Sequence, residues 1–501
     1  MITVTITGTD AQSALTRAAS AIGYARGAEL RIDWWKRIDP QMVADCLTNL
    51  QQHFTEVVLT MRLEQDGGLF SGSRAERNAV LQSCVELIPD GVWLDMELEQ
   101  LSDADDQRIC NLLPENSRVI RSYHSFTDGI DIAALQQLGV VSEKELPKAA
   151  VRPNSTEELI QLLQFARSFR PGDQIVLGMG EWGIPSRMCP MVFGSLWSYA
   201  SDADSPAAPG QMTATEMVRR GRTNMHDKNT RFFAIFGNPV MHSSSPDYHN
   251  ARFREAKVNA AYIPFPLSSA GVGLDVMQHW PLSGVSITIP HKNGVLQWPD
   301  GEPDDAALAV GAANTAVSEQ RGLQLYNTDV EGFLHPLIKR GFNLRSTRCL
   351  VIGAGGAARA VVYGLLTHGA RVLVVNRTMQ RAQKLRDDML RVLSHADVQA
   401  AALPAENAAE LCHSLWGDDA QLIVQTTQVG MEPNIEGDPL QGYQFSGREL
   451  VYDIIYTPEH TTLLHRAAAA GCPVITGRAM FIAQAEAQSR HFFGVLTDAS
   501  K

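Results

Sequence analysis

No run of roughly 18 or more apolar residues occurs in the 501-residue chain, so no segment reads as a membrane-spanning helix. Cysteine is sparse: Cys46, Cys84, Cys110, Cys189, Cys349, Cys412 and Cys472 are scattered, odd in number and without a CxxC pair. That spacing argues against a disulfide framework and against a cysteine-held zinc, and it implies free buried thiols in a reducing compartment. Positive charge is in deficit, 43 Lys and Arg against 55 Asp and Glu for a formal net charge of -12. Such a chain repels phosphate backbones, so no nucleic-acid partner is expected. Internal repeats and low-complexity tracts are missing too. The opening, Met1 to Thr7, reads as a strand and not as a basic, apolar leader, which leads to the expectation of a cytoplasmic protein with no membrane partner.

What is present is the balance of an ordinary globular protein, 45% hydrophobic and 20% charged. Single cores stop growing near about 250–300 residues, so this length predicts more than one domain. The first 200 or so residues alternate short apolar runs with helical patterns. Strands are expected at Ile2–Thr7, Leu30–Trp35, Glu56–Arg62, Val92–Leu98, Arg118–His124, Leu146–Val151, Gln174–Gly178 and Met191–Tyr199. Eight such repeats predict a parallel (β/α)8 barrel over residues 1–222, with an open doubly wound sheet as the alternative. A polar stretch at 223–230 reads as a linker. A second α/β alternation follows, with strands expected near Phe233–Phe236, Ala261–Pro264, Gly284–Ile289, Arg348–Ile352, Arg371–Val375, Leu422–Gln425, Leu450–Ile454 and Val474.

Barrel chemistry sits at the C-terminal ends of strands. There the sequence places Glu29-x-Arg31-x-Asp33, Thr60-Met61-Arg62, Asp95-x-Glu97, Ser122-Tyr123-His124 and Lys148, with Arg187 after the seventh strand. A lysine inside an apolar strand loses hydration, the setting in which an amine acts as a nucleophile toward carbonyls. Snorkelling to the barrel mouth, or pairing with Glu97, is the plainer reading of Lys148. His124, one strand earlier, adds a group able to move protons. Arg31, Arg62 and Arg187 offer cations to an anionic substrate such as a carboxylate.

This ordered set, together with Ser186-Arg187, Phe193-Gly194-Ser195 and Ala208-Pro209-Gly210-Gln211, resembles the type I 3-dehydroquinate dehydratases over essentially the whole first half. The resemblance implies that Lys148 forms an imine with the substrate ketone, that His124 takes and returns protons, and that Glu97 holds His124. It further implies that Arg62, Arg187 and Gln211 grip the substrate's carboxylate and hydroxyls, with Glu29 and Arg31 helping. Ala207 stands where the family usually has serine, and Ser205 is the nearest hydroxyl able to replace it. Ala149 and Ala150 follow Lys148 where many relatives carry bulkier residues.

In the second half, Val351-Ile352-Gly353-Ala354-Gly355-Gly356-Ala357-Ala358 joins an expected strand to an expected helix. Glycines there permit a tight turn and close approach of backbone to a pyrophosphate at the helix N-terminus. The next strand ends in Asn376-Arg377-Thr378. An arginine, in place of an acidic residue, suits the extra phosphate of NADP. Upstream lie Ser243-Ser244-Ser245-Pro246, Thr288-Ile289-Pro290-His291-Lys292, Gly311-Ala312-Ala313-Asn314-Thr315 and Tyr326-Asn327-Thr328-Asp329. A Lys and an Asp converging on one hydroxyl can handle the proton that accompanies hydride transfer. Singly, each of these motifs is also readable as a turn or helix cap.

These stretches resemble the shikimate dehydrogenases over nearly all of residues 231–501. The resemblance implies Lys292 and Asp329 as the catalytic pair and Ser243, Ser245, Thr288, Asn314, Tyr456 and Gln484 as substrate-binding residues. It implies NADP contacts from Gly353, Ala354, Gly355, Gly356, Ala357, Asn376, Arg377, Thr378, Thr427 and Gly477. Gln425 and Met241 replace the usual Asn and Gly at the margins of the site. The implied architecture is a barrel, then a two-lobed α/β dehydrogenase. Its substrate lobe spans 231–335, a Rossmann-type NADP lobe spans 336–470, and C-terminal helices over 471–501 return to the substrate lobe. The product of the first implied reaction is the substrate of the second, so the two resemblances support one another. Quinate or NAD preference in the second half, a Schiff-base aldolase in the first, and a barrel that serves as scaffold stay open at this level. So does the oligomeric state.

Overall fold

The structure, a computed structural model, describes every residue except 99–103, 140–143, 203–205, 404–407 and 499–501. The chain divides into two compact units, Met1–Leu282 and Ser283–Lys501.

In the first unit eight parallel strands form the barrel: β1 (Ile2–Ile6), β2 (Gly27–Arg31), β3 (Glu56–Thr60), β4 (Trp93–Glu97), β5 (Val119–Asp128), β6 (Glu145–Arg152), β7 (Ile175–Gly178) and β8 (Ser198–Ser201). Their ladders run in sequence from β7 back to β1 and on to β8. The remaining seam is bridged just before β8, where Leu196 N–H donates to Gln174 O at 2.9 Å and Val176 N–H to Ser195 Oγ at 3.0 Å. The near-closed ring sets aside the open doubly wound alternative. Val58, Ile120, Leu146, Ile175, Leu177 and Trp197 belong to one buried core cluster, and Trp197 meets Trp93 edge-on with centroids 5.4 Å apart.

Two strand expectations need correction. Leu30–Trp35 is wrong in register: β2 starts at Gly27 and stops at Arg31, and Ile32–Trp34 form a 3-10 turn. That turn brings Asp33 back to clamp Arg31, whose Nε and Nη2 donate to the carboxylate at 2.8 and 2.7 Å. Met191–Tyr199 is not one strand either. Pro190 starts a short helix, Pro190–Phe193, because its fixed φ and missing N–H suit a first helical position.

Beyond the barrel, helix Ala214–Gly221 is capped reciprocally by Thr213 and Glu216. The stretch expected as a linker is ordered. Thr223–Met225 form a 3-10 turn, and Arg222 Nη1 donates to the carbonyls of Val258 and Ala260 at 2.9 and 2.6 Å. Strands Arg231–Gly237 and Ala260–Pro266 then pair in parallel around helix Ser245–Glu255. These contacts carry the first unit past residue 231, into the segment expected as a separate lobe.

In the second unit, the six-stranded parallel sheet has the spatial order 398–402, 371–376, 348–352, 422–425, 450–453, 474–475. Its third strand in sequence, Val398–Ala402, was absent from the expected set. The order reverses beside Arg348–Ile352, the topological switch point at which open α/β sheets bind ligands. Alternate residues serve opposite faces: Val351, Val372 and Val374 enter one core cluster, while Leu350, Ile352, Leu373 and Val375 enter another. A sheet covered on both faces explains why these strands read as continuous apolar runs. A hairpin, Thr315–Glu319 with Gly322–Tyr326, was also missing from the expected strands. One long helix, Gly477–Asp498, stands where C-terminal helices were expected, and it packs on helix Thr328–Lys339 and on strand Thr315–Glu319.

Candidate active sites

Register places a ring of polar side chains at the C-terminal mouth of the barrel. Thr5 pairs with Glu29, Arg31 with Thr60, Thr60 with Asp95, Glu97 with Ser122, and Ser122 with Lys148. Glu29, Arg31, Arg62, His124, Lys148, Arg187 and Gln211 line one cavity, together with Thr5, Tyr199, Ala207 and Ala208.

Lys148 is 3% exposed. Its partner is Asp95, at 2.7 Å, with Glu29 at 3.8 Å, and not the Glu97 of the plainer sequence reading. Its Nζ also lies 4.3 Å from the centre of the Tyr199 ring. The sequence motifs assign Asp95 no role. It is the hub of the site: its Oδ1 accepts from Arg62 Nη2 at 2.8 Å and from Ser122 Oγ at 2.7 Å. Burial alone would raise its pKa, but Lys148 and Arg62 outweigh burial and hold the carboxyl well below its ordinary range. The signal for it was the period of two that puts Asp95 on the same strand face as Glu97.

His124 Nδ1 stands 2.8 Å from Glu97 Oε1, and Arg62 Nε stands 3.2 Å from the same oxygen. Burial pushes the Glu97 pKa up to about 7 against the pull of Arg62. Burial, then the nearby Arg62 and Lys148 charges, lowers that of His124 well below the ordinary histidine value, so the imidazole is neutral. Glu29 accepts from Thr5 and Thr60, both at 2.9 Å. Its pKa is lowered because Lys148 and the arginines outweigh the effect of burial.

The three arginines are not equivalent. Arg31 is clamped by Asp33, and Arg62 by Asp95 and Glu97. Arg187 is 1% exposed, yet its contact is the Tyr199 carbonyl at 3.4 Å, and among the described residues its Nε has no hydrogen-bond partner. Burial alone lowers its pKa to about 10. Gln211 lines the cavity while closing its own loop: Oε1 accepts from the Ala207 and Ala208 N–H groups at 2.9 and 3.2 Å, and Nε2 donates to Thr5 Oγ1 at 3.2 Å. The loop is thus tied by backbone at Ala207. Ser205 lies outside the described residues.

In the second unit, Lys292 Nζ meets Asp329 Oδ2 at 2.5 Å. Asp329 sits in the first turn of helix Thr328–Lys339, where the helix dipole favours a carboxylate, and Asn327 caps that helix by accepting from Asp329 N–H. Asn314 Nδ2 donates to Asp329 Oδ1 and to Thr328 Oγ1, each at 2.9 Å. Gln488, unmarked by the sequence reading, holds the Asn314 carbonyl at 3.0 Å and accepts from Ser286 Oγ at 2.9 Å. Thr288 lies one turn before Lys292, its carbonyl taken by His291 N–H. Gln484 is on helix Gly477–Asp498, where its Cβ would be 2.5 Å from any Cβ at Gly332. The Tyr456 ring lies against Phe481, with centroids 5.3 Å apart. Ser243 and Ser245 belong to the first unit, at the start of helix Ser245–Glu255.

At the switch point, Gly353 has φ +110°, and a Cβ there would stand 2.5 Å from Thr426 Oγ1. Thr426 Oγ1 and N–H both donate to the Ile352 carbonyl, which ties the two loops together. Helix Gly356–Thr367 starts at Gly355 with no side-chain cap, and a Cβ at Gly355 or Gly356 would meet nothing within 4 Å. Ala354 and Ala357 flank this open face half-buried. The Asn376 side chain turns back onto the Thr378 carbonyl at 2.8 Å and leaves Arg377 exposed at the end of its strand. Gln425, the departure from the usual Asn, is fully buried; it accepts from Thr427 N–H and donates to the Val429 carbonyl, both at 2.9 Å. A Cβ at Gly477 would fall 2.3 Å from two carbonyl oxygens, of Ile454 and Ile455, so only glycine lets the last helix begin there.

A lysine pocket at the mouth of a barrel, and a Lys–Asp pair in one unit with a nucleotide-type sheet, define a fusion of a lyase with an oxidoreductase. Residues 2–223 match the type I 3-dehydroquinase family, 235–316 the shikimate dehydrogenase substrate binding domain, and 336–407 the shikimate/quinate 5-dehydrogenase family. The bifunctional 3-dehydroquinate dehydratase/shikimate dehydrogenase, chloroplastic, of Arabidopsis thaliana is 30% identical over 493 residues, 93% of this chain and 77% of that one. The chain belongs to this bifunctional family, joining a type I 3-dehydroquinase to a shikimate dehydrogenase. The NADP(+) shikimate dehydrogenase of Salinibacter ruber is 40% identical over 276 residues, 53% of this chain and 93% of its own. A crystal structure of a shikimate dehydrogenase in complex with NADP+ covers 54% of this chain and 91% of its own at 28% identity, with a TM-score of 0.49.

Proposed function

We propose that the barrel converts 3-dehydroquinate to 3-dehydroshikimate and water, and that the second site reduces this product to shikimate with NADPH. The observation that carries the first half is the cavity itself. It holds a buried amine, a neutral imidazole and, in Arg187, a buried guanidinium with no carboxylate partner among the described residues. A buried cation is costly unless paired, so Arg187 is suited to the substrate carboxylate. Lys148 condenses with the ketone, releasing water and forming an imine that acts as an electron sink. Neutral His124 removes the acidified neighbouring proton. Glu97 holds the imidazolium, which returns the proton to the departing hydroxyl. Hydrolysis of the imine then frees Lys148. Glu29, Arg31, Arg62 and Gln211 shape the pocket around the substrate's polar groups.

For the second half, the open N–H end of helix Gly356–Thr367 fits a pyrophosphate, and exposed Arg377 beside Asn376 and Thr378 fits a ribose phosphate. Gly353, Ala354, Ala357, Thr427 and Gly477 would border the same cofactor. When bound, NADPH supplies a hydride to the ketone carbon. Lys292, held by Asp329, delivers the proton to the carbonyl oxygen. Ser243, Ser245, Thr288, Asn314, Tyr456 and Gln484 are assigned to the substrate by resemblance. We assign 1–222 to the dehydratase and 231–501 to the dehydrogenase, a division supported by the family matches at 2–223, 235–316 and 336–407. A reducing compartment such as the cytoplasm suits the seven free cysteines. Among the described residues no helix is long and apolar enough to cross a membrane.

The test is to give the purified chain 3-dehydroquinate and NADPH and follow loss of nicotinamide absorbance. Consumption, abolished by borohydride treatment in the presence of 3-dehydroquinate, is the expected result. Turnover of 3-dehydroshikimate but not of 3-dehydroquinate would sink the barrel's assignment and favour the aldolase or scaffold reading.

A further inference from the structure

The last helix of the barrel, Ala214–Gly221, ends against the loop that carries Ser243 and leads into helix Ser245–Glu255. Both lie in the first unit. Arg220, in its final turn, is half-buried, and its Nη2 donates to the carbonyl of Met241 at 2.8 Å and to that of Ser243 at 3.2 Å. The guanidinium thus bridges two carbonyls two residues apart, a contact that fixes the path of the backbone between them. The ties are reciprocal. The Arg220 carbonyl, one of those a helix end leaves without an intrahelical partner, accepts from Asn250 Nδ2 at 2.8 Å. Asn250 is fully buried; it also donates to the Tyr262 carbonyl at 2.7 Å and accepts from Tyr262 N–H at 2.9 Å, locking helix Ser245–Glu255 to strand Ala260–Pro266. One residue earlier, Arg219 Nη1 reaches Asp247 Oδ2 at 2.5 Å, but both side chains are substantially exposed, so this pair adds little. Within the loop itself, Ser245 N–H donates to Ser243 Oγ at 3.2 Å, which couples the orientation of one serine to the position of the other.

We propose that Arg220, a residue of the dehydratase's last helix, is a positioning residue for the dehydrogenase. It sets Ser243 and Ser245 for the substrate, so the barrel is part of the scaffold of the second enzyme's substrate site. The inference rests on the assignment of those serines to the substrate. Met241 replaces the family's usual Gly, yet the contact uses its carbonyl, which any residue supplies. Charge-assisted hydrogen bonds are the stronger kind, and a neutral side chain at 220 lacks the charged nitrogen that reaches both carbonyls.

The test compares Arg220→Ala, Arg220→Lys, Ser243→Ala and Ser245→Ala in the full-length chain, with both activities measured on each. For Arg220→Ala, KM for shikimate rises about tenfold, the loss of one charge-assisted hydrogen bond. KM for NADP, kcat for the reductase and all dehydratase constants stay near wild type. Arg220→Lys recovers part of the loss, since an ammonium can still reach one carbonyl. An unchanged KM for shikimate in Arg220→Ala, with a raised KM in the serine variants, overturns the proposal and leaves the serine assignment standing. Unchanged KM in both serine variants removes the assignment and the proposal with it. A parallel fall of both activities with a lowered Tm means Arg220 merely packs the two segments, and that too overturns it.

Discussion

Lys148 Nζ lies 2.7 Å from Asp95 Oδ2, and the other oxygen of that carboxylate holds Arg62 and Ser122. One buried carboxylate therefore orients both the nucleophile and a neighbouring cation. Asp95→Asn leaves two buried cations short of their partner, and we expect a loss of about 3–5 kcal/mol in stability. Denaturant unfolding measures this, and the dehydratase rate falls more than the reductase rate.

Lys148→Ala removes the nucleophile. Dehydration is expected to vanish, and the mass increase from borohydride reduction with 3-dehydroquinate vanishes with it. Shikimate oxidation stays near normal. Loss of both reactions in a folded protein would mean the two sites are not independent.

Glu97 and His124 predict the acid limb of the dehydratase. His124 is held neutral to well below its ordinary value, so its protonation does not limit the rate near neutrality. Glu97 ionises near about 7, and its charge is what stabilises the imidazolium. The rate should therefore rise with pH through about 7, and Glu97→Gln should lower it and flatten that limb. The stability sign is opposite. A carboxyl raised from 4.5 to about 7 binds its proton more tightly when folded, so its contribution is complete below 4.5 and is lost as pH rises through about 7. Urea midpoints across pH 4 to 8, wild type against Glu97→Gln, test that part.

Lys292→Ala should reduce shikimate oxidation by about 10²–10⁴-fold, the usual worth of a positioned proton donor. Dehydration should be untouched. Steady-state rates of the two half-reactions on one preparation decide it.

Arg377→Ala should raise KM for NADP about tenfold while leaving that for NAD nearly constant, because the guanidinium pairs with the phosphate that distinguishes the two. Equal effects on both cofactors would remove the phosphate role from Arg377.

Much of this was legible because local rules coincide with the tertiary answer. Apolar runs at Arg348–Ile352 and Leu422–Gln425 became strands with those bounds, since a sheet covered on both faces keeps no polar interruptions. The hairpin Thr315–Tyr326 is not legible in the sequence: its strands are short and partly polar, and its stability comes from pairing with a strand distant in sequence.

The order of motifs along the chain determined the two enzymes, the eight-strand barrel, the lysine and its histidine, and the glycine turn, since each is a matter of residue type and spacing. Which charges meet was decided by the tertiary structure alone. Barrel register puts Asp95 rather than Glu97 on Lys148, neutralises Arg31 and Arg62, and leaves Arg187 a buried cation with no carboxylate partner among the described residues. The fold likewise turned an expected linker into an anchored segment, with Arg220 and Arg222 gripping carbonyls some 20 to 40 residues away in sequence. A carbonyl is common to every residue, so no side-chain pattern could have announced those bonds before the chain was folded.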